Sequence, residues 1–153
     1  MARNVFETLT VLVVDDSSHM RYLLLGKGRA LGVGEIIMAK DGDEAWSHYV
    51  KHKPDLVITD AAMAPTDGFA LAKRLRDDDI ATSRHIPIIM VSAHTEISAI
   101  ERARDVGITE FVRKPIVPRA LYERLIAVVN RKHEIDPASL TKTLPDQPPV
   151  AFL

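Results

Sequence analysis

The stretch VLVVDDSS, residues 11–18, decides the fold. Four consecutive apolar residues predict a β-strand that is buried on both faces, because a half-exposed strand alternates apolar and polar residues. The chain then places two carboxylates, Asp15 and Asp16, side by side at the end of this strand. Their mutual repulsion and the cost of burying them both oppose this arrangement. We therefore expect something nearby to compensate the negative charge.

Four further apolar runs follow along the chain: EIIMA at 35–39, DLVITD at 55–60, IPIIMVSA at 86–93 and EFVRKP at 110–115. All are rich in Val, Ile or Leu and lack the alternation of a half-exposed strand, which predicts parallel strands covered on both faces. The polar stretches between them have the features of helices. The sequence therefore predicts a doubly wound α/β fold with helices on both faces of a five-stranded parallel sheet.

The predicted helices have identifiable ends. Their boundary signals are Ser17 or Ser18 as the cap of a helix through Leu31, Asp43 as the cap of a helix through Val50, and Gly107 as the stop of a helix that begins near Glu96. A last helix is predicted after Pro118, with one apolar stripe, and it is expected to end near His133.

Composition limits the classes of function. A length of 153 residues suits one domain and a tail, and the net charge of −1 disfavours direct binding to nucleic acid. The absence of cysteine excludes disulfides, thiolate metal sites and thiol catalysis. No signal peptide or membrane-spanning run is visible, so we expect a cytoplasmic protein that does not insert into membranes.

The domain is expected to cover residues 1–133. The segment 134–153 holds four of the nine prolines and shows no apolar periodicity, which is typical of a tail. Because its last four residues, Val150 to Leu153, are apolar, two interpretations stay open. The tail is either a disordered end or an arm that docks on its own domain or on a neighbour.

Polar side chains end most of the predicted strands. Asp15 and Asp16 end the first strand, Asp60 the third, Ser92 the fourth and Lys114 the fifth. Ligands of open parallel sheets gather at these carboxyl ends, and oxygen ligands without His or Cys favour Mg²⁺ over Zn²⁺. For the first pair alone, a role at a helix N-terminus without any metal is an equally good interpretation.

The blocks VLVVDDS, LVITDAAMAPTDG, IPIIMVSA and FVRKP occur in an order and at spacings that resemble the receiver domain of bacterial two-component response regulators, the family of the chemotaxis regulator. The resemblance runs from about Leu9 to Arg131. It implies a flavodoxin-like strand order of 2-1-3-4-5. It also implies a stand-alone receiver that accepts a phosphoryl group in a phosphorelay and switches a partner-binding face.

The resemblance assigns roles to the acidic residues. Asp60 matches the aspartate that accepts a phosphoryl group from a histidine kinase or a phosphotransfer protein, as a nucleophile. Asp16 matches the direct Mg²⁺ ligand, and Asp15 matches its neighbour, which often acts through water. The backbone carbonyl of Ala62 is the remaining protein ligand that the family implies.

The resemblance also assigns the other polar positions. Lys114 matches the lysine that pairs with the phosphoryl oxygens and that precedes a cis bond to Pro115. Ser92 matches the hydroxyl residue that turns toward the phosphoryl group, and Phe111 matches the aromatic residue coupled to that movement. For Phe111, an ordinary role as a core aromatic is an equally good interpretation.

The sequence departs from the family at three places. Pro65 comes one residue later after Met63 than in most members. Ala62 and His94 occupy two positions that tune how water reaches the acyl phosphate in the family, so the lifetime of the phosphoryl group stays open. His94 is interpreted first as a solvated loop residue.

Two other functions compete with a signalling receiver. A metal-dependent phosphatase with an aspartate nucleophile usually carries a general acid two residues after that nucleophile, where this chain has Ala62. A degenerate receiver that binds partners without phosphorylation would not need all of the polar positions.

We expect no enzyme activity beyond slow self-dephosphorylation, and a downstream protein target at the face of the fourth helix, fifth strand and fifth helix. The same face is the expected surface of a homodimer.

Overall fold

The computed structural model describes residues 5–78 and 85–133, with side chains up to residue 130. Within these ranges, five parallel strands form one sheet in the order β2-β1-β3-β4-β5. The strands are β1 Thr10–Val14, β2 Glu35–Ala39, β3 Leu56–Asp60, β4 Ile88–Ser92 and β5 Glu110–Arg113. The helices are α1 Ser18–Leu31, α2 Gly42–His52, α3 Gly68–Asp77, α4 Ile97–Asp105 and α5 Pro118–His133. This confirms the predicted fold class and strand order.

The sheet separates two apolar cores. Alternate residues of β1 enter opposite cores, because successive side chains of a strand point to opposite faces of the sheet: Leu12 and Val14 lie in one, and Val11 and Val13 in the other. The first core includes buried side chains of α2, α3 and α4, and the second includes those of α1 and α5. The residues that precede the site at the sheet edge are therefore buried from both sides.

The two outer strands differ from the prediction that all five runs are covered on both faces. In β3 and β4 every residue is buried, whereas β2 begins with an exposed Glu35 and continues with three half-buried residues. In β5, only Phe111 is buried and Arg113 is exposed. The prediction is wrong for these strands because an edge strand has a neighbour on one side only.

The structure identifies the residues that cap the first two helices. The Ser17 side chain accepts a hydrogen bond from the Met20 amide, so Ser17, and not Ser18, caps α1. The prediction that Asp43 caps α2 is wrong. Asp41 is the cap, because its carboxylate accepts a bond of 2.9 Å from the Glu44 amide, while Asp43 lies inside the first turn. The helix also continues two residues past Val50.

The C-terminal half follows the expected boundaries. Gly107 lies in the left-handed region with φ = 87°, directly after the cap residue of α4, which confirms it as the stop signal of that helix. The apolar stripe of α5 is buried through Leu121, Leu125 and Val128. The proposed tail, 134–153, lies outside the described residues, so both interpretations of it stay predictions.

Candidate functional site

Three aspartates meet at the carboxyl edge of the sheet. Each of Asp15, Asp16 and Asp60 offers a carboxylate oxygen, and these oxygens lie within 4.8 Å of one another. Among the side chains of residues 5–78 and 85–130, no other group of three His, Cys, Asp or Glu residues comes this close. Asp15 and Asp60 are buried, at 3% and 9% exposure, and Asp16 is exposed. The cluster thus has two shielded carboxylates and one that faces solvent.

Lys114 joins two of these aspartates. Its ammonium nitrogen lies 3.1 Å from Asp15 Oδ2 and 3.2 Å from Asp60 Oδ1. The backbone holds the lysine at this edge, because the Lys114 amide donates to the Ser92 carbonyl at the end of β4, and the peptide bond to Pro115 is cis. Burial lowers the pKa of Lys114, but the hydrogen bond to Asp15 and the charge of Asp60 outweigh it, so the pKa is raised. The lysine is therefore held in its charged form.

One lysine does not neutralise the cluster. The pKa of Asp60 is raised above its ordinary value, first because the carboxyl is buried and second because Asp15 carries the same charge; Lys114 opposes both effects. A cation at this edge would relieve the repulsion that remains. Since the available donors are carboxylate oxygens, the chemistry of the site fits a hard divalent ion such as Mg²⁺.

Asp15 already accepts several hydrogen bonds from neighbouring groups. Both oxygens of Asp15 already accept hydrogen bonds, Oδ1 from the Ser17 amide at 2.9 Å and Oδ2 from Lys114. The Asp15 carbonyl also accepts a bond of 2.7 Å from the Arg21 guanidinium, which brings a second positive charge close to the cluster. Sequence reasoning missed Arg21, because nothing in the spacing from the strand to the first turns of α1 marks it.

The backbone around Asp60 is tightly packed against the start of α3. A Cβ atom added to Gly68 would lie 2.1 Å from the Asp60 carbonyl oxygen, so only glycine fits this position. The Gly68 amide donates to the Ala61 carbonyl, and the Thr59 hydroxyl donates to the Asp60 carbonyl. Sequence reasoning did not assign Gly68 a role, although the Asp-Gly pair at 67–68 was a usable signal for a tight approach.

The remaining predicted site residues lie around this cluster at different depths. Ser92 is buried one residue beyond Val91, the register partner of Asp60, and its hydroxyl accepts a bond of 3.0 Å from the His94 amide. Phe111 is fully buried in the core shared with α3 and α4. The loop residues Ala62 and His94 are exposed, and the His94 ring lies 3.7 Å from Glu96. The structure thus joins the aspartates and Lys114 directly, and it leaves Phe111 and His94 outside that contact.

Comparison with known proteins identifies the class. The sequence profile of the response regulator receiver domain matches residues 11–126, so the chain belongs to this family. Receiver domains are signalling domains that interact with kinases and with downstream targets. None of the helices in the described part of the chain combines the length and apolar character needed to cross a membrane.

Three relatives show the range of similarity. The chemotaxis protein CheY1 of Helicobacter pylori is 32% identical over 79% of this chain and 97% of its own length. The phosphate regulon transcriptional regulatory protein PhoB of Pseudomonas aeruginosa is 34% identical over 80% of this chain. The chain spans about half the length of that regulator, 52%, and of several other curated relatives. The structure of a CheX-CheY-BeF₃-Mg²⁺ complex from Borrelia burgdorferi covers 78% of this chain and 88% of its own, with 27% identity and a TM-score of 0.70.

Proposed function

We propose that this protein is a receiver in a phosphorelay and that Asp60 is its phosphoacceptor. The observation that carries the proposal is the position of the Asp60 carboxyl at the end of β3, with Lys114 at 3.2 Å and the oxygens of Asp15 and Asp16 within 4.8 Å. Together these groups form a site with three carboxylates and one ammonium group. Such a site suits a phosphoryl group, which needs both a nucleophile and cationic partners.

The proposed reaction is a substitution at phosphorus. One carboxylate oxygen of Asp60 forms a bond to the phosphorus atom while the bond from phosphorus to the nitrogen of a phosphohistidine breaks. The electron pair of the broken bond stays on the imidazole nitrogen, and the product on this chain is an acyl phosphate. Because Asp60 is only 9% exposed, the donor has to approach from the open edge of the sheet, beside the exposed Asp16.

Lys114 and Ser92 are the proposed partners of the phosphoryl oxygens. Lys114 pairs with Asp60 before transfer, and its ammonium can keep its contact to Asp15 while it turns toward the incoming oxygens. The Ser92 hydroxyl accepts a bond from the His94 amide, which leaves its hydrogen available to donate to a phosphoryl oxygen. The coupling of Phe111 to that movement, and the tuning of dephosphorylation by Ala62 and His94, stay predictions.

The proposed metal is Mg²⁺. Asp16 is the expected direct ligand together with Asp60 and the Ala62 carbonyl, and Asp15 acts through water because both of its oxygens already accept hydrogen bonds. When bound, Mg²⁺ neutralises charge that develops on the phosphoryl oxygens during transfer. The pKa of Asp60 is raised first by burial and second by the like charge of Asp15, and a bound cation would oppose both effects.

The proposed partners are a histidine kinase or phosphotransfer protein and a downstream protein target. The face of α4, β5 and α5 is the proposed surface for the target and for a homodimer. The Borrelia complex, in which a CheY protein is found with CheX, beryllium fluoride and Mg²⁺, supports a protein partner for a related fold. The cytoplasmic location, the stand-alone role and the domain limits 1–133 stay predictions.

The test is phosphorylation by a small donor. The full chain is incubated with acetyl phosphate and Mg²⁺, and its intact mass is measured. We expect wild type to gain one phosphoryl group and Asp60→Asn to gain none. Asp67→Asn, which changes a nearby aspartate of the same loop but keeps a side chain able to cap α3, is the matched control and should be phosphorylated like wild type.

Two results would overturn the proposal. Wild type that gains no phosphoryl mass would favour a degenerate receiver, and an Asp60→Asn variant that gains as much as wild type would place the acceptor elsewhere. Turnover of p-nitrophenyl phosphate with Mg²⁺ tests the phosphatase alternative. We expect none, because Ala62 supplies no general acid.

A further inference from the structure

Two histidines, whose imidazole nitrogens are common metal ligands, lie on α2, away from the aspartates. His48 and His52 are one helical turn apart on the same side of the helix. Their ring centroids are 5.8 Å apart and the rings are tilted by 35°. Both side chains are half-buried, so solvent reaches them and their rotations are restricted. This geometry lets two imidazole nitrogens converge on one ion after small side-chain rotations.

A carboxylate adjoins the histidine pair. Glu44 precedes His48 by one turn, and Glu44 Oε1 lies 3.8 Å from His48 Nε2. The ligand atoms of Glu44, His48 and His52 do not all lie within 4.8 Å of one another, so Glu44 adjoins His48 and the two histidines are the chelating pair. His94, in the loop after β4, also lies beside a glutamate, Glu96 at 3.7 Å, but no second histidine follows it at a spacing of four residues.

The ligand types select a different class of metal from the aspartate cluster. Imidazole nitrogens suit Cu²⁺, Ni²⁺ and Zn²⁺, and two histidines at i and i+4 on a helix are a recurrent arrangement for such ions. Mg²⁺ prefers oxygen ligands and competes poorly at imidazole. The chain has no cysteine, so no thiolate competes with the histidines for these metals.

The two metal-binding regions are also separated along α2. This helix begins at Gly42, whose amide donates to the Thr66 carbonyl in the loop after β3. At a rise of about 1.5 Å per residue, His48 and His52 lie about 9 and about 15 Å farther along the helix axis. An ion held by the histidines therefore does not occupy the space around Asp60.

We propose that His48 and His52 form a bidentate site for a divalent transition metal, with affinity in the order Cu²⁺ above Ni²⁺ and Zn²⁺. The ion joins two consecutive turns of α2 and stabilises that helix in the folded state only, because the unfolded chain does not hold the two rings together. The proposal is independent of phosphorylation at Asp60.

Trp46 provides the measurement. It is the only tryptophan of the chain, it lies two residues before His48, and its ring stacks on Tyr49 at 5.9 Å. Bound Cu²⁺ quenches the fluorescence of a nearby indole. CuCl₂ is titrated into the full chain with Mg²⁺ in large excess, which keeps the aspartate cluster saturated. We expect saturable quenching, and we expect His48→Gln and His52→Gln each to weaken Cu²⁺ binding roughly tenfold or more, because each loses the chelate.

The control variants separate this site from the others. His94→Gln removes a histidine that also lies beside a glutamate, and Asp43→Asn removes an exposed carboxylate from α2 itself. Both should bind Cu²⁺ like wild type. Glutamine is a good helix former, so the His48 and His52 variants are expected to keep their fold, which circular dichroism checks. Wild-type affinity in both histidine variants, or equal weakening by either control, would overturn the proposal.

Discussion

The helices that follow the two central strands, α3 and α4, are held very differently. α3 buries five residues, Gly68, Phe69, Leu71, Ala72 and Leu75, whereas α4 buries only Ala103. The Asp67 side chain caps α3 by accepting a bond of 2.8 Å from the Ala70 amide. The corresponding residue of α4, Glu96, makes no such bond. The helix α3, which follows Asp60, is thus firmly anchored, whereas α4, which follows Ser92, is weakly anchored.

This difference suits a receiver. The proposed phosphoacceptor, Asp60, lies before α3, where Gly68 packs against its carbonyl, and a nucleophile benefits from a fixed position. Ser92 precedes the weakly anchored helix α4, so a small change at its hydroxyl can shift α4 at little cost in free energy. We infer that the signal leaves the site through α4.

The Arg102 side chain connects α4 to the start of α3. The Arg102 guanidinium of α4 lies 4.1 Å above the Phe69 ring, and it lies 3.8 Å from Asp67. These contacts line a cleft of about 320 Å³ between the loop after β3, α3 and α4. Arg102 therefore restrains α4. Variants at the start of α3, at the helix caps and at Arg102 test whether the two helices are held differently.

The largest effect is expected at Gly68. In Gly68→Ala the new methyl group collides with the backbone of Asp60, which should lower the free energy of unfolding by about 3 kcal/mol. Urea denaturation measures it. The control is Gly26→Ala in α1, where an added Cβ meets nothing within 4 Å; that variant should gain about 1 kcal/mol. Similar stabilities of the two variants would show that the start of α3 is not firm.

Without metal, Asp60→Asn is expected to change the free energy of unfolding by a smaller amount and in the opposite direction. Its pKa is raised above 3.8, so the folded protein binds this proton more tightly than the unfolded chain, and stability falls as the pH rises from 3.8 through the folded-state pKa. In EDTA, Asp60→Asn should therefore be more stable than wild type at neutral pH and equally stable in acid below that window.

Addition of Mg²⁺ completes the Asp60 experiment. Thermal unfolding at neutral pH should show that Mg²⁺ raises the stability of wild type more than that of Asp60→Asn, because the variant lacks one of the proposed carboxylate ligands. An advantage of the variant that persists unchanged at acid pH would contradict the electrostatic explanation.

The helix caps give the next effect. Asp67→Ala should destabilise the protein by about 1 kcal/mol, since the Ala70 amide loses its acceptor. Glu96→Ser places a capping residue before α4 and should stabilise it by about 0.5 kcal/mol. Amide hydrogen exchange provides the local measurement, because exchange within α4 should slow in Glu96→Ser. Equal exchange rates in α3 and α4 of wild type would contradict the comparison.

The smallest effect is expected at Arg102. Arg102→Leu removes the contact to Phe69 and the pairing with Asp67, at a cost of about 0.5 kcal/mol, because the side chain is exposed. Exchange in α4 should accelerate, and its change on addition of beryllofluoride with Mg²⁺ should become larger, while α3 stays unaffected. Exchange in α4 that does not respond to beryllofluoride in either protein would refute the role of this helix.

The sequence alone identified most of the fold. The apolar runs gave the strands because burial on both faces of a parallel sheet leaves no polar alternation, and Gly107 and the α5 stripe gave their helix boundaries. The predicted cap of α2 was wrong because Asp41 and Asp43 are equally good capping residues. Only the backbone conformation around Gly42 determines which of them caps the helix. The predicted burial of the edge strands β2 and β5 was wrong because the apolar character of a run does not reveal its place in the sheet.

The sequence also determined which residue types end the strands, and hence that acids and a lysine meet at one edge, since parallel strands present their carboxyl ends together. Only the tertiary structure decided that Lys114 bridges Asp15 and Asp60, that Arg21 reaches the Asp15 carbonyl and that Arg102 stacks on Phe69. These contacts join segments whose separation along the chain carries no local signal. They depend on side-chain positions that packing sets, so no pattern of residues predicts them.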